Sequence, residues 1–586
     1  MTIRIPPMLR GLMSVLVLLC VVHRSAGQTA PEGNAHPIQQ LVSGGEPLPD
    51  PFGPRTTTVT ISPEAKAAFA AGVDLAAWEA VPVFHNGRVK VLGTLARETV
   101  SRLTGRKKYR ELSGPTGNDL SFPPLFTFLD ILIDPEYYVD KPVIGIDYLP
   151  LRRAILEAEF PQDEQAVQRW LMTGRVTPKM VATHVDAIAN RTMDKEPWAR
   201  ALRQLDDSIR LFFSGRSNLV LLAPTDASLP WAHLATLPES DPVRASFVNF
   251  GSAWRNADAP KATNAMSAAI ADLQQRNADK AVGGRPALEV VAAKVNAFET
   301  GMWVYCLAFV ALLLAVGTQR QGLRSAGTLL LGVALGLHAF GFITRCIIAE
   351  RFAIQNQFES MTGVSLFAAT LGLVLMISRK QPLFGAAAAG VGFMVLIAAT
   401  QTAIPGKTIE REAAILNTSV LLKYHVTTVL VSYGLIALGF LLSLFYLGTH
   451  YLGRSRTATA VFPGGGTAKV AADGEAADAS RRIRTLADLD AAQLIVLQLA
   501  FWTLGTGVLL GAWWADHSWG RWWAWDPKET WALVTWIIYL IVIHLRLIGL
   551  KDKGRTTAWL SVVGFIVMLW TYFGVNLLLP GLHAYA

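Results

Sequence analysis

Cysteine is nearly absent: the 586 residues hold three, Cys20, Cys306 and Cys346, and no CxxC pair. That excludes a disulfide framework, a thiolate zinc site and thioredoxin-like exchange. Charge is thin as well, with Asp, Glu, Lys and Arg at 17% against 52% hydrophobic residues. A mean hydropathy of +0.34 is high for a water-soluble protein. The net charge of +9 comes without a basic-aromatic patch, so nothing points to nucleic acid. The run Gly464–Gly466 lacks the strand–loop–helix setting of a phosphate loop and reads as linker. His85, His184 and His233 have no ligand spacing, so the first half of the chain displays no site.

What is present is lipid-compatible length. Eight apolar stretches, approximately 301–318, 326–346, 361–378, 383–400, 425–448, 493–512, 531–548 and 558–579, reach the length needed to cross a bilayer. Residues 1–27 read as a secretory signal, with Arg4 and Arg10 before the apolar Gly11–Val22 and small residues at Ser25, Ala26 and Gly27. An uncleaved anchor is the alternative, and both send the following chain outward. Residues 28–60 read as a Pro/Gly-rich linker and 61–298 as an extracytoplasmic α+β domain. That domain has helical patterning in Ser62–Ala80, Leu151–Glu159 and Thr263–Phe298, and an Asn86-Gly87 hairpin signal. The expected fold is therefore an α-helical polytopic membrane protein of about eight transmembrane helices with an N-terminal extracytoplasmic α+β domain. Helices one to five fall in 299–450, a cytoplasmic linker in 451–492 and helices six to eight in 493–586. Gly464–Ser480 is expected to be disordered. Loop charge agrees with the signal: Arg320, Arg324, Arg379, Lys380, Arg454, Arg456, Arg481, Arg482, Arg484, Arg546, Lys551, Lys553 and Arg555 all fall on the inner side.

Tryptophan is concentrated. Nine of the 17 lie between Trp502 and Trp536, around Trp519, Trp522, Trp523 and Trp525. An interfacial belt places one or two Trp at a helix end. This density, broken by Gly520, Arg521, Asp526, Pro527, Lys528 and Glu529, reads instead as a platform for a flat, apolar, anionic ligand. Indole faces would cover the plane, and Arg521 or Lys528 would meet carboxylates. His425 at the start of span five and His583 after span eight fall on the same face, where two imidazoles complete a six-coordinate haem iron. His517 falls inside the platform and reads as a lining residue. His544 lies near the inner end of span seven, and an ionisable group there is a functional signal. His338, mid-span in the second helix, would line a haem path or bond a neighbouring helix. At 1.5 Å per residue it lies about 18 Å from the inner end of its span and His544 about 6 Å from its own, so the two do not share one iron. Asp526 and Glu529 read as braces of the loop, with Pro527 fixing its turn.

Trp519-Gly520-Arg521-Trp522-Trp523-Ala524-Trp525-Asp526-Pro527-Lys528-Glu529 resembles the "WWD" signature of haem-handling membrane proteins that assemble c-type cytochromes, and the chain from about Trp303 onward is most similar to the CcsA/ResC type. Tyr424-His425-Val426 with Ser432-Tyr433 is similar to the family segment carrying the first outer His ligand, and Phe573–Asn576 with Gly581–Tyr585 to that carrying the second, His583. His544 matches the intramembrane haem-ligating His, and Asn356–Ser360 is similar to a further family segment. The resemblance implies transport of haem b to the outer face of the inner membrane and its presentation to the CxxCH thiols of apocytochrome c, within a cytochrome c synthase. It implies a CcsB/ResB-type membrane subunit and a thiol-reducing protein; the other intramembrane ligand comes from that subunit or, as the alternative, from His338. No residue is assigned acid–base catalysis. The rival readings are a haem exporter or relay like the CcmC type, and a small-molecule transporter or sensor with an aromatic interfacial site.

Overall fold

The computed structural model describes residues 50–54, 61–111, 120–189, 196–402, 404, 406–410, 420–452, 468–548, 552–579 and 581. The expected signal at 1–27, most of the 28–60 linker and His583 lie outside these residues. Among the described residues, eight long apolar helices form the membrane part. We label them α1 (Ala297–Thr318), α2 (Gln321–Ala349), α3 (Gln357–Arg379), α4 (Pro382–Gln401), α5 (Val420–Leu452), α6 (Ala468–Trp519), α7 (Pro527–Leu547) and α8 (Lys553–Leu569). Expected spans one to seven each overlap one of them, and the eighth, 558–579, covers α8 and continues through a π-helical turn at Trp570–Gly574 and a short helix at Val575–Leu578. The chain is a multi-pass helical membrane protein. The turns after α1, α2 and α3 close on Gln319, Glu350 and Lys380, each in the left-handed region that lets a chain leave a helix sharply. Because the spans alternate, the loop at 404–410 and the Trp-rich loop share the end of the bundle that carries the N-terminal domain. The turns at 320, 380 and 552 lie at the far end.

Two expectations are corrected here. The segment expected to be disordered up to Ser480 is helical from Ala468, the start of a 52-residue α6. Five alanines between Ala471 and Ala479 favour helix, and they outweigh Gly474. The continuous helical pattern read over Thr263–Phe298 is broken twice. Ala259–Asn277 ends before Gly283 and Gly284, both at positive φ, and Pro286–Val295 is separated from α1 by Asn296 at φ 45°.

Helices dominate the N-terminal domain, with three two-stranded antiparallel pairs. The Asn86-Gly87 signal does form a hairpin, β1 (Pro82–His85) against β2 (Arg88–Val91), with both turn residues at positive φ as a two-residue turn requires. Strand β3 (Tyr109–Glu111) pairs with β4 (Leu120–Phe122), and β5 (Ile144–Gly145) with β6 (Arg175–Val176). One apolar core unites the domain, including Trp78, Phe126, Phe247 and Trp254. It also takes in Phe52, so the end of the stretch read as linker packs into the domain. His184 pairs with Glu159 at 2.7 Å, and His233 caps a short 3-10 turn. Both are structural.

Inside that core Asp130 is fully buried. It accepts from Lys66 Nζ at 2.9 Å, Trp254 Nε1 at 2.8 Å and the Tyr138 hydroxyl at 2.7 Å. Removing one member of a buried pair leaves the other charge uncompensated, at about 3–5 kcal/mol. Asp130→Ala should therefore unfold the N-terminal domain at a clearly lower temperature by calorimetry. Asp226→Ala, at an exposed turn, should leave the transition within experimental error.

The domain is fastened to the bundle by polar contacts. Arg88 Nε donates to the Ile409 carbonyl at 2.8 Å and pairs with Glu289. Arg102 meets Glu410 at 3.3 Å, and Lys107 meets Glu299 in the first turn of α1 at 2.5 Å. Beside them, burial and then the charges of Lys90 and Arg102 hold the His85 pKa down at about 4, so that imidazole is neutral at neutral pH.

Candidate functional site at the domain end of the bundle

The Trp-rich loop starts where α6 stops. Gly520 turns the chain at φ 68°, and its amide donates to the Asp516 carbonyl at 2.8 Å. The loop ends in a capping box. Asp526 accepts from the Lys528 amide at 3.1 Å, and Glu529 Oε2 accepts from the Asp526 amide at 3.2 Å and the Ala524 amide at 2.9 Å. Pro527 occupies the first helical turn, where its missing N–H costs nothing. Asp526 and Glu529 thus do brace the loop. Between these fixed ends Trp525 sits at φ 56° with its indole 71% exposed. A bulky residue in that backbone region is strained, and such strain clusters at functional sites.

Beneath the loop lies a partly open pocket with a cavity volume of about 80 Å³, smaller than the roughly 300–1,000 Å³ of most small-molecule sites. His425 and Tyr433 of α5, Gly511 and Ala515 of α6, Trp522 and Trp523 of the loop, and Lys528 and Glu529 of α7 line it. Helix pairing explains how His425 reaches there. A Cβ on Gly507 would stand 2.7 Å from Val429 Cγ2, and one on Gly511 would stand 2.5 Å from His425 Cε1. These two glycines, one turn apart, open a groove on α6 that admits α5. Within it His425 Nδ1 lies 2.8 Å from the Gly507 carbonyl. A carbonyl only accepts, so Nδ1 donates to it, and a backbone carbonyl holding one ring nitrogen is a common way of orienting a metal-ligating histidine. The Trp523 indole Nε1 is buried and has no hydrogen-bond partner among the described residues. A ligand carrying an acceptor would satisfy it.

The structure does not gather every expected residue. Trp519 packs edge-on against Trp514 at 4.9 Å and Trp525 against Trp523 at 6.0 Å, and neither lines the cavity. Arg521 is exposed on the loop. His517 is also exposed, bonded to the Trp513 carbonyl one turn back at 3.0 Å, and is not among the residues lining the pocket. His338 is fully buried, with Nε2 3.0 Å from the Thr362 carbonyl and Nδ1 3.3 Å from the Tyr305 hydroxyl. Of the two readings open for it, the structure shows the helix-bonding one. His544 is exposed near the far end of α7, the least buried of the eight spans, with Nδ1 2.9 Å from the Leu540 carbonyl. His583 lies outside the described residues. Gly581, two positions before it, abuts the loop: a Cβ there would stand 2.5 Å from Asp526 Oδ1.

Sequence reasoning passed over Gly507 and Gly511, although their small-x-x-x-small spacing is the signal that would have found them.

The sequence model of the family described as cytochrome C assembly protein matches residues 354–583, a range that contains the cavity and the loop. The cytochrome c biogenesis protein CcsA of Parasynechococcus marenigrum (strain WH8102) is 33% identical over 288 residues, 47% of this chain and 93% of that protein. The chain belongs to the cytochrome c assembly family. The CcsA of Synechococcus sp. (strain CC9605) is likewise 33% identical over 287 residues, covering 47% of this chain and 93% of its own. The CcsA of Porphyra purpurea is 32% identical over 279 residues, covering 44% and 85%. As a CcsA-type member this protein acts in cytochrome c biogenesis. These relatives match less than half of the chain, so the domain fastened to its membrane part is an addition to the segment they share.

Proposed function

We propose that this CcsA-type protein carries haem b across the inner membrane and presents it on the outer face to apocytochrome c. The observation supporting this most is the single cavity shared by His425, Trp522, Trp523 and Lys528. Haem is the substrate. His425 Nε2 would take one axial position on its iron and His583 the other, while the indoles bed the ring and Lys528 and Arg521 meet its propionates. The vinyl groups would then face the CxxCH thiols, kept reduced by a thiol-reducing protein. Positioning is the main catalytic contribution in this reading, which assigns no residue acid–base work on the thioether bond. At the inner end, exposed His544 would ligate incoming haem together with a histidine from a CcsB/ResB-type subunit seated against α7. The N-terminal domain and the Trp-rich loop lie on the periplasmic side in this account.

Haem content and sidedness test the proposal together. His544→Ala should lower the haem that copurifies, while His450→Ala should not. A reporter fused within the Gly464–Ser480 segment should be active only on the cytoplasmic side, and one in the N-terminal domain only outside. The opposite sidedness, or purified protein with no Soret band when coexpressed with its partner, would remove the proposal.

A further inference from the structure

One charged patch lies apart from the pocket beneath the Trp-rich loop. Helix Leu92–Thr104 ends at Gly105, at φ 69°, and Arg106, Lys107 and Lys108 follow as three exposed cations before β3. Strand alternation then buries Tyr109 and returns Arg110 to the exposed face, directly opposite Ser121 in the β3–β4 pair. Arg106, Lys107, Lys108, Arg110 and Ser121 together line one open depression, which brings four cations and a hydroxyl together among the described residues. Lys107 meets Glu299 at 2.5 Å, and Asp147 stands 4.0 Å from a Cβ placed on Gly105.

Its position relative to the bilayer is fixed by that Glu299 contact. Glu299 is in the first turn of α1, and one turn further into the span stands Trp303, 61% exposed on the bundle surface. An exposed Trp at a span end marks the headgroup level. Lys407 adds a cation at the same level, its Nζ donating to the Thr400 carbonyl at the end of α4 at 2.8 Å.

We infer that Arg106, Lys107, Lys108 and Arg110 form a binding site for the phosphate of anionic phospholipid headgroups and seat the N-terminal domain on the membrane surface. Arginine forks match phosphate oxygens in pairs, and lysines supply mobile point charges. A basic cluster at a bilayer surface gains about fivefold in affinity per side chain, and the gain falls off within a Debye length. The inference holds whichever face of the membrane the domain occupies.

Hydrogen–deuterium exchange on the full chain in nanodiscs tests it. Discs of phosphatidylcholine are compared with discs containing phosphatidylglycerol. The anionic lipid should slow exchange across 105–108 by on the order of fivefold. The slowing should vanish in the Arg106→Gln, Lys107→Gln, Lys108→Gln, Arg110→Gln variant and persist in Arg153→Gln, Lys179→Gln. Equal exchange of the wild type in the two discs overturns the inference, and that comparison stands even if the quadruple variant misfolds. Slowing that persists in a folded quadruple variant also overturns it. If inorganic phosphate in phosphatidylcholine discs reproduces the slowing, the site takes a soluble phosphate and the lipid assignment fails. If poly-glutamate does so, the patch is a protein contact and the assignment fails equally.

Discussion

His425→Gly should abolish covalent haem attachment to a coexpressed reporter cytochrome, by more than about tenfold, and added imidazole should restore part of it. The variant removes the proposed axial ligand and leaves a ring-sized gap, between α5 and the groove at Gly507 and Gly511, that free imidazole can enter. His583→Gly should behave alike if it fills the opposite position. Three companion variants separate ligation from general damage. Gly511→Ala places a methyl 2.5 Å from His425 Cε1, so it should impair attachment without responding to imidazole, because the gap is filled and not opened. Trp523→Ala removes part of the bed and should likewise resist rescue. His184→Gly, in the N-terminal domain, should change nothing. Full attachment in His425→Gly without imidazole would sink the axial role.

The second large effect is on stability. Glu359 is fully buried where α2 and α3 meet. It accepts from Arg345 Nε at 3.0 Å, from Arg351 Nη1 at 2.7 Å and Nη2 at 3.0 Å, and from the Gln355 amide at 3.1 Å. Arg345 in turn donates to the Gly406, Lys407 and Thr408 carbonyls at 2.6, 2.9 and 3.3 Å, pinning the loop onto which the N-terminal domain is fastened. Glu359→Ala removes the carboxylate that faces the buried Arg345 and the part-buried Arg351 guanidinium groups. It should destabilise the purified protein by at least the 3–5 kcal/mol of a broken buried pair, seen as a lower thermal midpoint and reduced accumulation. Glu410→Ala removes the exposed Arg102 bridge, 49% and 45% accessible at its two ends, and an exposed hydrogen bond from the Thr408 hydroxyl, and should cost less than about 1 kcal/mol. Equal midpoints for the two variants would show that the buried cluster is not what holds the loop.

The membrane half was legible because lipid imposes a simple rule: a span is a long apolar run, and all eight runs are helices. The capping box was legible for a local reason, since Asp526, Pro527 and Glu529 satisfy amides within a few residues of themselves. What the sequence hid depends on pairing between distant segments. Nothing near His425 announces that its ring settles against Gly511, 86 positions away, or that Tyr433 shares the same cavity. His338 and His544 look alike as intramembrane histidines. Yet one is locked between Tyr305 and Thr362 while the other faces outward, and only helix packing tells them apart. Asn356–Ser360 stood out in the sequence, but its role as the seat of the Arg345–Glu359 cluster needed the loop at 406–408 in place. In the N-terminal domain, periodicity ran on through Gly283, Gly284 and Pro286, where backbone geometry breaks the helix.

The central claim is that the haem iron is bound by His425 in the cavity beneath the Trp-rich loop. Replacing that ligand by one with a different signature tests it most directly. In His425→Cys, expressed with its membrane partner and purified with bound haem, the electronic and electron-paramagnetic spectra should change from those of imidazole ligation to those of a thiolate-ligated iron. A His425→Cys protein that binds haem with spectra identical to the wild type would place the iron elsewhere and contradict the account.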